Sequence, residues 1–119
     1  MNSIQAAFYL EEMMFVYSSS KLTVKEKYAQ FLIILGSVAV EVTKGEKIQF
    51  SNLFSRVSFI CTKLKISRKI HSFRVAANKI THENIEPSGL ANQTYFKYLV
   101  QFICDVYKIA VPENLSTQF

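Results

Sequence analysis

Apolar residues recur at intervals of three and four along most of the chain, the spacing that keeps one face of an α-helix apolar. The clearest stripe consists of four residues, Ile70, Phe73, Ala77 and Ile80. Ser67 is placed to cap the start of this helix, and Asn84 is placed to end it. The pattern therefore predicts one uninterrupted helix from about residue 68 to residue 83.

The same periodicity predicts three more helices, over about residues 24–43, 51–64 and 93–109, and good helix propensity without a clean apolar stripe predicts another over about residues 4–17. The second helix begins with the pattern of a capping box, in which Thr23 is the N-cap and Glu26 follows three residues later. Gly45 is placed to end that helix as a left-handed C′ residue. Because the second helix is apolar nearly all round, we expect it to lie at the centre of the domain.

The length and composition fit one domain built from helices. The chain has 119 residues, half of them apolar, but only three Gly and two Pro, few for a sandwich or barrel with many turns. We predict an all-α fold, a compact bundle of about five helices formed by residues 1–112, and we find no internal repeat. Residues 113–119 have no periodicity, so we expect a C-terminal tail that could begin a linker to a covalently attached downstream domain.

Positive charge is concentrated in the middle of the chain. The net charge is +5, and residues 44–79 contain nine basic residues against Glu46 as the only acidic one. Four of them fall within seven positions, namely Lys63, Lys65, Arg68 and Lys69. Such a cluster attracts nucleic acid or another anionic surface. The alternative is an ordinary solvated loop with surface lysines.

Several other classes of protein and site are not indicated. Cys61 and Cys104 lie on apolar helix faces and are not in a CxxC motif, so we expect free buried thiols. The N-terminus lacks the pattern of a signal peptide, and no apolar run is long enough to span a bilayer. We expect a cytoplasmic protein without a membrane partner. We expect no cofactor, because no Gly-rich phosphate loop occurs, and no metal, because His71 and His82 would be about 16 Å apart along one helix.

A polar row runs beside the apolar stripe of the helix predicted for residues 68–83. Arg74, Asn78 and His82 follow one another at intervals of four residues and therefore lie within a narrow arc, with His71 one turn earlier. Arginine can hold a phosphate and histidine can move a proton near neutral pH, so the row could act on RNA without a metal. The row also has a structural interpretation, in which Asn78 and His82 hydrogen-bond the following loop and Arg74 pairs with Glu86 or Asp105.

The segment from Phe73 to Glu83 (FRVAANKITHE) resembles the signature helix of HEPN-like domains, in the branch with the pattern Arg-x3-Asn-x3-His. The resemblance implies a compact α-helical domain, often dimeric, of the kind appended to helicases, restriction enzymes and defence proteins. It also implies that Arg74 and His82 would be the catalytic pair, supported by Asn78. Two features differ from the ribonuclease members: seven residues separate Arg74 from His82, which is more than usual, and Val75 stands where a polar residue often follows the arginine.

Two hypotheses follow. In the first, the chain is a non-catalytic helical module for interaction or dimerisation, the N-terminal domain of a larger nucleic-acid-processing protein such as a helicase or nuclease. Its nucleic-acid-binding residues would be Lys63, Lys65, Arg68, Lys69 and His71. In the second, the chain is a metal-independent HEPN-type endoribonuclease, of the toxin or defence kind, with Arg74, Asn78 and His82 as its catalytic residues.

Overall fold

Six α-helices form in the part of the chain that the computed structural model describes, residues 3–83 and 85–116. They are α1 (Ser3–Ser18), α2 (Val24–Val42), α3 (Leu53–Leu64), α4 (Ile70–His82), α5 (Gly89–Tyr107) and the short α6 (Glu113–Ser116). These residues include no β-strand. The predicted all-α fold is confirmed, with five substantial helices.

The second helix lies at the centre, as predicted. α2 packs against α1, α3, α4 and α5, and its inward side chains Leu35 and Val38 are completely buried. Its outer face is different, because Ile33 and Val40 are exposed. The helix is apolar nearly all round, but its neighbours cover only one side.

Both ends of α2 test a prediction about capping. The capping box is present, since Glu26 N donates to Thr23 Oγ1 at 3.1 Å and Thr23 N donates to Glu26 Oε1 at 2.9 Å. The prediction for the other end is wrong. The helix is closed by Thr43, whose N–H donates to the Ala39 carbonyl, and Gly45 does not have a positive φ. A turn without a left-handed residue therefore follows, and no glycine is needed there.

α4 buries the predicted stripe, since all four of its apolar residues belong to the core. Ser67 is not its N-cap. Lys69 occupies that position without a side-chain hydrogen bond to the helix, while Ser67 Oγ accepts from Lys69 N at 3.2 Å. The predicted stop, Asn84, lies outside the described residues. In contrast, α3 has a capping box that the sequence interpretation missed, formed by Asn52 and Ser55.

The C-terminal third departs most from the prediction. α5 begins at Gly89 instead of residue 93, because Ser88 Oγ accepts from Ala91 N at 3.1 Å and caps the helix. Residues 113–116 form α6 instead of a tail without structure, and Leu115 is buried in the core. The prediction of an irregular tail from residue 113 is therefore wrong for this segment. The buried Leu115 side chain packs this segment against the bundle.

Two helices, α3 and α5, end with the same sequence pattern and the same geometry. Phe-Ile-Cys-x3-Lys-Ile occurs at residues 59–66 and again at residues 102–109, a similarity that our search for repeats missed. In both copies the lysine is the C-cap in the left-handed region, with φ 56° at Lys65 and 58° at Lys108. In both copies the isoleucine N–H donates to the cysteine carbonyl, at 3.1 Å for Ile66 and 3.0 Å for Ile109. This is the hydrogen bond of a Schellman motif, in which glycine is the usual left-handed residue.

Candidate functional site

The predicted polar row lies on α4, which is an unbroken helix from Ile70 to His82. Its three members have different surroundings, because Arg74 and Asn78 are half-buried whereas His82 is exposed. Within the described residues, the side chains of Asn78 and His82 form no hydrogen bond. One part of the structural interpretation, the ion pair of Arg74, is wrong. Arg74 does not pair with Glu86 or Asp105, and the Asp105 carboxylate instead accepts from Gln101 Nε2 at 2.9 Å.

Arg74 lies beside α3, and two other residues on the same flank do so as well. The contacting residues on α3 are four positions apart, and their partners, which begin at position 68, are three positions apart. The α3 positions decrease while the partner positions increase, so the two segments run antiparallel. We call this set of contacts the α3–α4 seam. Its three pairs are Thr62 with Arg68, Ser58 with His71, and Phe54 with Arg74.

The distances in the seam are those of direct contacts. Arg68 Nη2 donates to Thr62 Oγ1 at 2.7 Å, and the Ser58 Oγ and His71 Nε2 atoms are 3.2 Å apart. The guanidinium carbon of Arg74 lies 5.0 Å from the centroid of the Phe54 ring, within the range of a cation–π contact. The seam therefore pairs two arginines and a histidine with two hydroxyls and an aromatic ring.

His71 is the titratable group between the two arginines. Burial, with the neighbouring charges of Arg74 and Arg68, lowers the pKa of His71 below its ordinary value of 6.5. The ring is therefore mostly neutral at pH 7, so His71 adds a hydrogen-bonding group to the seam and little charge. Its Nδ1 atom is buried without a hydrogen-bond partner.

The unpartnered Nδ1 atom bears on whether Ser58 and His71 could act as a nucleophile and its base. A Ser–His pair becomes nucleophilic when a third group orients the imidazole, usually a carboxylate at its other nitrogen. Among the described residues no such group contacts His71, so the pair with Ser58 lacks the member that would orient it. Arg74 and His82 are about 12 Å apart along the helix axis, and the arginine is held against Phe54. The arrangement does not bring His82 and Arg74, the pair that the resemblance implies, together on α4.

The basic cluster lies at the end of α3 and in the connector to α4. Lys63 forms an ion pair with Glu46, the one acidic residue among positions 44–79. Lys65, Arg68 and Lys69 are exposed, and none of the described carboxylates pairs with them. Three positive charges are thus left uncompensated beside the seam.

Four cations of the basic third lie over aromatic rings. Besides Arg74 and Phe54, three more pairs place a cation over a ring, with distances to the centroid of 4.8, 5.6 and 5.9 Å. They are Arg56 over Phe50, Lys63 over Phe59 and Lys69 over Tyr98. All four cations come from residues 44–79. Cations interleaved with aromatic rings are typical of surfaces that bind single-stranded nucleic acid.

A groove of about 640 Å³ lies on the other flank of α4, towards α5 and residues 85–87. His71 borders it, together with Val75, Lys79, Ile85 and Tyr95. Its lining is mostly apolar. The seam and the connector carry more of the positive charge, and for that reason we place the candidate site there.

Other features give no second site. Both cysteines are buried and free, as predicted, and burial raises the pKa of Cys61 and raises that of Cys104 to about 11. Within residues 3–83 and 85–116, no group of His, Cys, Asp and Glu could hold a metal ion. None of the described helices is long and apolar enough to cross a membrane.

The sequence interpretation identified Arg68, His71 and Arg74 but missed their partners on α3. Phe54, Ser58 and Thr62 follow at four-residue intervals, and this spacing could have indicated a second face beside the core stripe of α3. Comparison of the chain with protein-family models, with curated proteins and with solved structures found no match. The resemblance to HEPN-like domains therefore rests on residues 73–83 and on the all-α fold.

Proposed function

We propose that this chain is a non-catalytic α-helical module that binds nucleic acid through the α3–α4 seam and the adjoining connector, and that pairs with a second copy of itself. The observation that carries the binding role is the set of uncompensated cations at Lys65, Arg68, Lys69 and Arg74. Each lacks a carboxylate partner among the described residues, and two of them lie over aromatic rings.

The charge distribution supports binding to a phosphate backbone. Uncompensated lysines and arginines attract the backbone irrespective of its sequence and release its counterions. Here Lys63 is the member of the cluster with an acidic partner, and the other three have none among the described residues.

Three observations support a non-catalytic role over the ribonuclease alternative. Arg74 is held against Phe54 and is therefore not free to approach His82. His82 is exposed at the end of α4, where no described side chain orients its ring. Seven residues separate the two, more than in the ribonuclease members that the segment resembles. The resemblance itself supports a place in a larger nucleic-acid-processing protein, such as a helicase or nuclease.

Exposed apolar side chains on α1 and α2 support the pairing role. Phe8 and Phe15 are 59% and 74% exposed, and Ile33 and Val40 are 60% and 53% exposed. Within each helix the two positions are seven residues apart, so they lie on one line two turns apart, the repeat of a helix–helix seam. We propose that this outer face, Phe8 and Phe15 with Ile33 and Val40, contacts the same face of a second copy.

Binding without cleavage is distinguished from ribonuclease activity by incubating the purified protein with labelled RNA in EDTA. We expect the RNA to be bound and to stay intact, because binding needs only the cations whereas cleavage needs a positioned base. His82→Ala should then leave binding unchanged. Cleavage in EDTA that His82→Ala abolishes, with the variant still folded, would contradict the proposal and establish the ribonuclease alternative.

A further inference from the structure

The Phe54 ring is about half exposed, and side chains of α4 contact it. It lies in the first turn of α3 and is 49% exposed, although Arg74 contacts it and the His71 ring lies 4.9 Å away at an angle of 45°. An exposed aromatic ring in a folded domain is common. One that a guanidinium and an imidazole contact while about half of it stays exposed, beside uncompensated cations, is suited to bind a ligand that is both flat and anionic.

Arg74 has the properties of a phosphate ligand. Its guanidinium carbon lies over the Phe54 ring, and no described carboxylate neutralises it. A guanidinium that is already oriented loses little side-chain entropy when it binds phosphate. Arg68 provides a second positive charge in the same seam, where it contacts Thr62, about 12 Å along α3 from Phe54. The Ser58 hydroxyl and His71 lie between the two arginines.

We infer that the α3–α4 seam is a stacking platform for single-stranded nucleic acid, in which a base stacks on Phe54 and the adjoining phosphates bind Arg74 and Arg68. This inference rests on the proposed nucleic-acid binding and adds its substrate class. A base can stack on a side chain only when its face is free, whereas a duplex hides its base faces within the stack. Since a π-face is common to all bases, the platform does not select a sequence.

The chain contains no tryptophan, so a tryptophan placed at the platform would be a unique probe of stacking. We would make Phe54→Trp and titrate it with single-stranded RNA and DNA of about 12 nucleotides, and with a duplex of the same sequence. We expect single strands to quench the tryptophan fluorescence and the duplex to quench it little. The matched control is Leu90→Trp on α5, which places the probe at a 75% exposed position outside both the basic third and the pairing face. It should not be quenched.

Binding itself is measured by anisotropy of the labelled strand at low salt. Phe54→Ala should weaken single-strand binding by roughly 5- to 100-fold, the range for loss of one stacked base, and should leave duplex binding unchanged. Phe54→Tyr should retain most of the affinity. Arg74→Lys, which keeps the charge but loses the planar fork, should weaken single-strand binding more than duplex binding.

The possible results distinguish the two levels of the proposal. If single strand and duplex bind equally and neither quenches the tryptophan at position 54, the platform is wrong but the basic surface still binds nucleic acid. If no nucleic acid binds even at low salt, both the platform and the proposed function are wrong. If only the RNA strand binds, or only the DNA strand, the platform stands and the other polymer is excluded as its ligand.

Discussion

His71 shows at the scale of one residue how the seam affects stability. The unfolded chain would bind a proton at the ordinary pKa of 6.5, whereas burial with Arg74 and Arg68 lowers the pKa of His71 in the folded chain. Between these two values the unfolded state holds more protons, so protonation favours unfolding. The stabilising contribution of neutral His71 is complete above pH 6.5 and is lost as the pH falls through the folded pKa.

We therefore expect the free energy of unfolding to fall between about pH 7.5 and 5.5, where most carboxylates stay ionised. Urea denaturation of the wild type and of His71→Gln at the two pH values measures the effect. The variant should lose less stability than the wild type over this interval, because glutamine does not titrate. An equal loss in both proteins would show that His71 is not held neutral by its surroundings.

Residue-level predictions from the sequence succeeded where the spacing along one helix decides the result. The stripe from Ile70 to Ile80 is buried and Arg74 lies beside it, as 3.6-residue periodicity requires. The partners of Arg74 could not be predicted in the same way. Phe54 is 20 positions earlier in the sequence, and the two side chains meet only because the tertiary fold brings α3 beside α4.

At the scale of an element, the ends of the helices were predicted less well than the helices themselves. The capping box at Thr23 was found because Thr and Glu match a known pattern. The start of α5 was missed because Ser88-Gly89, next to Pro87, also has the composition of a turn, and only the Ser88 cap shows that the helix begins there. α6 was missed because four residues are too few to show a period.

The two left-handed lysines lead to a prediction of stability. A non-glycine residue with positive φ costs about 1–2 kcal/mol, whereas lysine at a helix C-terminus contributes about 0.3–1 kcal/mol through the helix dipole. The conformational cost is the larger of the two. We expect Lys65→Gly and Lys108→Gly each to raise the free energy of unfolding by about 0.5–1 kcal/mol in urea denaturation.

Alanine separates the two contributions at these positions. Lys65→Ala and Lys108→Ala keep a Cβ atom in the left-handed region but remove the charge, so they should not stabilise the protein. If glycine and alanine have the same effect at both positions, the lysines are not strained by their φ angles.

At the scale of the whole molecule, the uncompensated cations and the proposed pairing face belong to different helices. The cations lie on α4 and in the connector that precedes it, and Phe8, Phe15, Ile33 and Val40 lie on α1 and α2. A module that paired through the second set would keep the first set available to nucleic acid. The sequence indicated the positive charge because the basic residues lie close together along the chain. It did not indicate the outer apolar face, because the core and the surface of α2 are equally apolar.

Pairing is tested by the dependence of the molecular mass on concentration, measured by light scattering or sedimentation. We expect the wild type to dimerise and Phe15→Glu or Ile33→Glu to be monomeric with unchanged helicity, because a charge at an exposed position affects only the interface. Ile48→Glu is the matched control, since Ile48 is 51% exposed but lies outside both helices. A wild type that stays monomeric at all concentrations, or a dimer that tolerates both glutamates, would contradict the pairing proposal.

Nucleic-acid binding by the seam and connector is the central claim, and salt titration of single-strand affinity tests it most directly. If four cations contact phosphates, affinity should fall by roughly 50-fold when salt rises fourfold, and the double variant Lys65→Gly/Lys69→Ala should reduce the slope of log affinity against log salt by about 1.4. The charge-matched control Lys21→Ala/Lys25→Ala, at exposed lysines around the start of α2, should keep the wild-type slope. A flat salt dependence, or an equal loss of slope in both double variants, would contradict the account.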